Sequence, residues 1–133
     1  MMHGAKYSRI NSATVNRRSD HIGGGPVADN SQHALNAQQI DARLEGGDKI
    51  AEPREVEHFA YFKRYSHAKA AASDLTAAGY TVGLNRRFTQ TALQAVHVTP
   101  VDLETANAFT TQLETVVESH HGTYDGWGGT IVS

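Results

Sequence analysis

A chain of 133 residues with 39% apolar and 20% charged side chains is long enough for one domain and an appendage, and its balance is that of an ordinary globular protein. The absence of cysteine excludes disulfides, thiolate metal sites and cysteine nucleophiles, and fits a reducing, cytoplasmic compartment. Net charge is −2, divided into +2 on residues 1–29 and −4 on residues 30–133, so the main body disfavours a polyanion such as nucleic acid and suits a basic protein surface.

Residues 1–29 show no hydrophobic periodicity, lack the apolar core of a secretory signal, and contain Gly23-Gly24-Gly25-Pro26. They are expected to form a disordered arm. A phosphate loop is disfavoured there, because no Gly-Lys-Ser/Thr follows the glycines. Asn30 or Ser31 can cap an N-terminal helix over residues 30–47, with Ala34, Ala37, Ile40 and Leu44 near helical spacing and Gly46-Gly47 as its stop. Pro53 then sets an extended path.

Residues 48–133 read as one domain. Val56 to Phe62 is rich in β-formers on both faces, as a central strand should be. Ser66 can cap a helix whose stripe is Ala68, Ala71, Ala72, Leu75 and Ala78, ended by Gly79. Residues 80–84 and 93–98 alternate with period two and predict a hairpin, with Asn85, Arg86 and Arg87 in its loop. Thr99-Pro100-Val101-Asp102 predicts a helix start, with Thr99 capping and Pro100 in first position. Leu103, Ala106, Phe109, Leu113, Val116 and Val117 form that helix's buried stripe, His120 and His121 its last turn, and Gly122 its end. A last strand holds Tyr124, Trp127, Ile131 and Val132.

The order βαββαβ predicts an α+β, ferredoxin-like sandwich: a four-stranded antiparallel sheet with two helices on one face, preceded by the N-terminal helix. The helix-free face then exposes Phe59 and Tyr61 of the first strand, unless the N-terminal helix or a second subunit covers it. A homo-oligomer through that face stays open.

Few motifs point to chemistry. No Gly-x-Ser-x-Gly elbow, nucleotide loop or His-Glu-x-x-His is present, so neither a catalytic residue nor a metal site is assigned, and no cofactor is implied. His58 and His97 fall on the two central strands and can be neighbours, without a third ligand. Aromatics on an open sheet face with Arg86 and Arg87 nearby also suit an RNA-recognition module, but its glycine-and-basic signature is missing. A small dimeric enzyme or sensor is the remaining alternative, since this fold serves both.

Asp48, Glu52, Glu55 and Glu57 make an acidic cluster before and within the first strand, suited to a basic partner. Asp125-Gly126 can form a bulge that re-aims Tyr124 and the single tryptophan, Trp127, either into the core or toward a partner. The partner-contact candidates are therefore Glu52, Glu55, Glu57, Phe59, Tyr61, Tyr124, Asp125 and Trp127.

The run Gly47-Asp48-Lys49-Ile50-Ala51-Glu52-Pro53-Arg54-Glu55-Val56-Glu57-His58-Phe59 resembles the opening of the domain in the RraB family, regulators of ribonuclease E activity. Gly122-Thr123-Tyr124-Asp125-Gly126-Trp127 resembles that family's closing motif, and the likeness covers about residues 31–133. The resemblance implies a ferredoxin-like fold and a non-enzymatic inhibitor that lowers RNA cleavage by binding ribonuclease E itself. No membrane attachment and no direct contact with nucleic acid are expected.

Overall fold

The computed structural model describes residues 25–133, with side chains from residue 31 onward. Its elements are α1 (Gly25–Glu45), β1 (Arg54–Phe62), α2 (Tyr65–Ala77), β2 (Thr81–Arg86), β3 (Thr91–Thr99), α3 (Leu103–Ser119) and β4 (Thr123–Gly129). The strands form one antiparallel sheet in the order β2-β3-β1-β4, with β1 and β3 in the middle. This is the ferredoxin-like arrangement. Helices α2 and α3 lie on one face of the sheet, and α1 packs against α3.

Strand β1 carries its buried positions in strict alternation: Val56, His58, Ala60 and Phe62 face the helices, while Glu55, Glu57, Phe59 and Tyr61 face the other way. The core divides in two. Ala60, Phe62, Leu75, Leu93, Leu113 and Val117 fill the space under α2 and the second half of α3. Ile40, Val56, Val101, Ala106, Phe109 and Trp127 join α1 to α3 and the sheet. Fully burying each large aliphatic side chain contributes about 1.5–3 kcal/mol. The alanines Ala68 and Ala71 keep the contact face of α2 low, which lets that helix sit close to the strands.

Several local boundaries differ from the sequence expectation. Helix α1 opens at Gly25, upstream of the expected cap at Asn30, and Pro26 sits in its first turn, where a missing N–H has no intrahelical partner to lose. Most of the expected arm, residues 1–24, lies outside the described residues. The buried face of α1 is also not the apolar stripe. Gln32, Asn36, Ile40 and Arg43 are buried, whereas Leu44 is 52% exposed. Asn36 bonds to α3 and β4, Arg43 to Asp48 and the end of β4, and Gln32 to Asn36, so the helix buries a hydrogen-bonding face that hydrophobic periodicity does not detect.

The residue preceding α2 is Arg64, without a side-chain cap, and Ser66 lies inside the helix. Helix α3 begins at Leu103, not at Pro100. Asp102 is its cap, accepting from the Thr105 amide at 3.1 Å, because Val101 is buried and its amide donates to the Ile50 carbonyl at 2.8 Å. At the other end His120 caps α3 and lies 2.7 Å from Asp74, and His121 takes the left-handed conformation with φ 67°. Gly122 is required for a different reason: a Cβ there would lie 2.3 Å from the Phe62 ring.

Candidate functional site

The closing Tyr-Asp-Gly-Trp segment shows how a bulge decides where side chains go. Phe59 pairs with Gly126 and Ala60 with Tyr124, so two positions on β1 oppose three on β4, and the register shifts between Phe59 and Ala60. Without the extra residue, Tyr124 and Trp127 would point to opposite faces of the sheet. The bulge turns both toward the helices, with Gly126 supplying φ 105°. Both rings are fully buried, and Asp125 is 4% exposed. Tyr124 and Trp127 therefore pack the core and offer no contact surface in this conformation.

Trp127 is enclosed from three sides. Its Nε1 donates to Asn36 Oδ1 at 3.0 Å, the Arg43 guanidinium lies 5.2 Å from its ring centre, and Phe109 meets it edge-on at 5.1 Å. Asn36 in turn accepts from Gln32 Nε2 and donates to Asn107 Oδ1 and Thr110 Oγ1. These bonds fill the capacity of one amide side chain and fasten α1 to α3 and β4.

Asp48 does not belong to the surface acidic cluster. Its carboxylate is completely buried, accepting from Arg54 Nη1 at 2.7 and 2.9 Å, Arg43 Nη1 at 3.0 Å and the Val132 amide at 3.1 Å. Arg43 and Arg54 also donate to the carbonyls of Gly129 and Thr130. Burial alone would raise the Asp48 carboxyl, but the hydrogen bonds from Arg54, Val132 and Arg43 outweigh it and hold the group below the usual carboxylate range. This clasp joins the end of α1, the lead-in to β1 and the segment after β4. It ties Asp48 and Arg54 of the opening motif to Gly129, Thr130 and Val132, which directly follow the closing motif some seventy positions away.

A second buried polar group crosses the sheet's helix face. His58 Nδ1 lies 2.8 Å from Tyr124 Oη, and His58 Nε2 lies 2.9 Å from His97 Nε2. Burial, then the neighbouring charge of His97, holds His58 well below the normal imidazole range. Burial lowers His97 to about 4. Both rings are neutral at pH 7. Among the described residues no group of three potential ligands could hold a metal.

The remaining candidates lie on the helix-free face. Glu55, Glu57, Phe59 and Tyr61 stand in one row along β1, and Glu52 is exposed in the preceding loop. A shallow depression of about 540 Å³ runs beside them, lined by Glu57, Phe59, Tyr61, Asn85, Arg87 and Gln94. Burial first, then the Asp125 charge, raises the Tyr61 phenol, with Arg87 opposing, so Tyr61 stays a neutral hydroxyl. The hairpin arginines separate: Arg87 borders the depression, while Arg86 stacks on Tyr65 at 4.4 Å. The structure thus groups Glu55, Glu57, Phe59 and Tyr61, and sends Tyr124 and Trp127 to the opposite side.

Sequence reasoning missed Asn36, Arg43 and the buried role of Asp48. The available signal was the spacing of Gln32, Asn36, Ile40 and Arg43, which repeats on one helical face but is mostly polar.

Fold and site together define a small α+β domain with an open acidic–aromatic sheet face. Residues 33–129 match the family described as Regulator of ribonuclease activity B. The chain is also 31% identical over 102 residues to the Regulator of ribonuclease activity B of Alteromonas mediterranea, covering 72% of this chain and 77% of that protein. The chain belongs to the RraB family of ribonuclease-activity regulators. No helix among the described residues is long and apolar enough to cross a membrane.

Proposed function

We propose that this protein is a cytoplasmic, non-enzymatic regulator that binds a ribonuclease of the ribonuclease E type and lowers its cleavage of RNA, using the helix-free sheet face as its contact surface. The carrying observation is the row Glu55, Glu57, Phe59 and Tyr61, which sets two carboxylates and two half-buried aromatic rings side by side on a rigid central strand. Aromatic side chains of this kind anchor interfaces, and carboxylates beside them steer a basic partner and raise its association rate. Glu52, exposed at the start of the row, extends the same field. Two carboxylates on this face would repel RNA phosphates, which favours a protein over a nucleic acid.

The test is inhibition of a purified ribonuclease E by the full chain, with affinity measured at two salt concentrations. Phe59→Ala with Tyr61→Ala should weaken binding by about tenfold or more, as loss of an interface anchor does. Glu55→Lys with Glu57→Lys should slow association and flatten its salt dependence. Unchanged inhibition by both double variants would remove this face from the mechanism.

A further inference from the structure

On the other side of the sheet, a cleft of about 470 Å³ opens between the end of α2 and the outer surface of α3. Tyr80, His97 and Phe109 supply aromatic walls, with the His97 ring 4.6 Å from Tyr80 and 5.2 Å from Phe109. Thr99, Ala108 and Gln112 complete the part that matters here. The volume lies within the range of small-molecule sites, and the mixture of ring faces with a few polar groups is their usual lining.

Two polar groups in this cleft have spare capacity. Gln112 Oε1 accepts from Tyr80 Oη at 2.6 Å, which leaves the Gln112 amide nitrogen without a partner among the described residues. His97 uses Nε2 toward His58, and its Nδ1 has no partner among them either. Behind His97 stands the chain to His58 and Tyr124, and it can run in either direction. If Tyr124 donates to His58 and His58 to His97, the Nδ1 of His97 carries a hydrogen and donates. If His97 donates to His58 and His58 to Tyr124, that Nδ1 is bare and accepts. Both arrangements keep every buried ring nitrogen satisfied.

We propose that this cleft is a binding site for a small, uncharged, planar heterocycle that hydrogen-bonds to His97 and Gln112. Planarity follows from the aromatic walls, against which a flat ring stacks or meets an edge. Neutrality follows from the lining: no lysine, arginine, aspartate or glutamate borders the cleft, and burial keeps the His97 ring uncharged. A charged ligand would lose hydration there without gaining a counter-charge. The reversible histidine chain widens the choice of ligand, because His97 can meet a ring acceptor or a ring donor. The site is separate from the sheet face, so its failure would leave the ribonuclease reading intact.

The experiment is a titration of the isotope-labelled full chain with nicotinamide and adenosine, set against nicotinate and adenosine monophosphate as their charged counterparts. Imidazole nitrogen spectra report the His97 tautomer, and the Gln112 side-chain amide reports the second contact. At least one neutral probe should saturate at low millimolar concentration or below and shift both groups. Its charged counterpart should bind about tenfold more weakly or worse, a difference of about 1.4 kcal/mol. Ala108→Phe, at an exposed position of α3, should fill the cleft and weaken the same probe at least as much. The proposal is overturned if no neutral probe saturates, if a charged counterpart binds equally well, or if Ala108→Phe leaves binding unchanged.

Discussion

Acidification from pH 8 to pH 5 should destabilise this protein through the buried histidines, well before its carboxylates protonate. His58 and His97 bind protons more weakly in the folded chain than in the unfolded chain, where their pKa is near 6.5. Stability from this source is therefore complete above about pH 6.5 and falls as pH drops toward 4. For His97 alone, the 1.5 pH units between 6.5 and 5 correspond to about 2 kcal/mol at about 1.4 kcal/mol per unit, reduced to about 1–2 kcal/mol because the ring is partly exposed. His58 acts in the same direction. Asp48 responds differently: its lowered pKa keeps its contribution intact down to about pH 4, and that contribution is lost only below it. The assay is urea unfolding at pH 8, 6.5 and 5, followed by the emission of Trp127, the single tryptophan and a fully buried one. The double variant His58→Leu with His97→Leu should show little change over this range. An equal pH slope in the variant, or equal wild-type stability at pH 8 and pH 5, would refute the reasoning.

Two further substitutions test the framework. Asp48→Asn keeps the shape of the clasp but removes the buried carboxylate that Arg43 and Arg54 share, and should cost about 3–5 kcal/mol in denaturant unfolding. Gly122→Ala drives a Cβ into the Phe62 ring and should cost about 1–3 kcal/mol; the added change Phe62→Leu should recover part of that loss, read as non-additive melting temperatures.

The element order and types were legible because their determinants are local. Period-two alternation in β1 and β3, the alanine stripe of α2 and the apolar stripe of α3 each declare an element whatever its neighbours do. The row Glu55, Glu57, Phe59 and Tyr61 was legible on the same ground, since alternate residues of one strand must share a face. The Asp-Gly bulge could be suspected from composition alone.

Tertiary structure decided which readings of ambiguous residues held. Tyr124 and Trp127 could have been surface anchors; the bulge at Asp125 turned them into the core, and only pairing with β1 sets that register. Asp48 looked like one of a row of surface acids until Arg43 and Arg54 closed over it from two separate elements. Gln32, Asn36 and Arg43 carried no apolar signal, yet they form the buried face of α1, because a polar side chain is buried only where distant partners satisfy it. Local sequence determined the elements and the open acidic–aromatic row. Non-local hydrogen bonds determined that Tyr124 and Trp127 are the frame behind that row and not part of its surface.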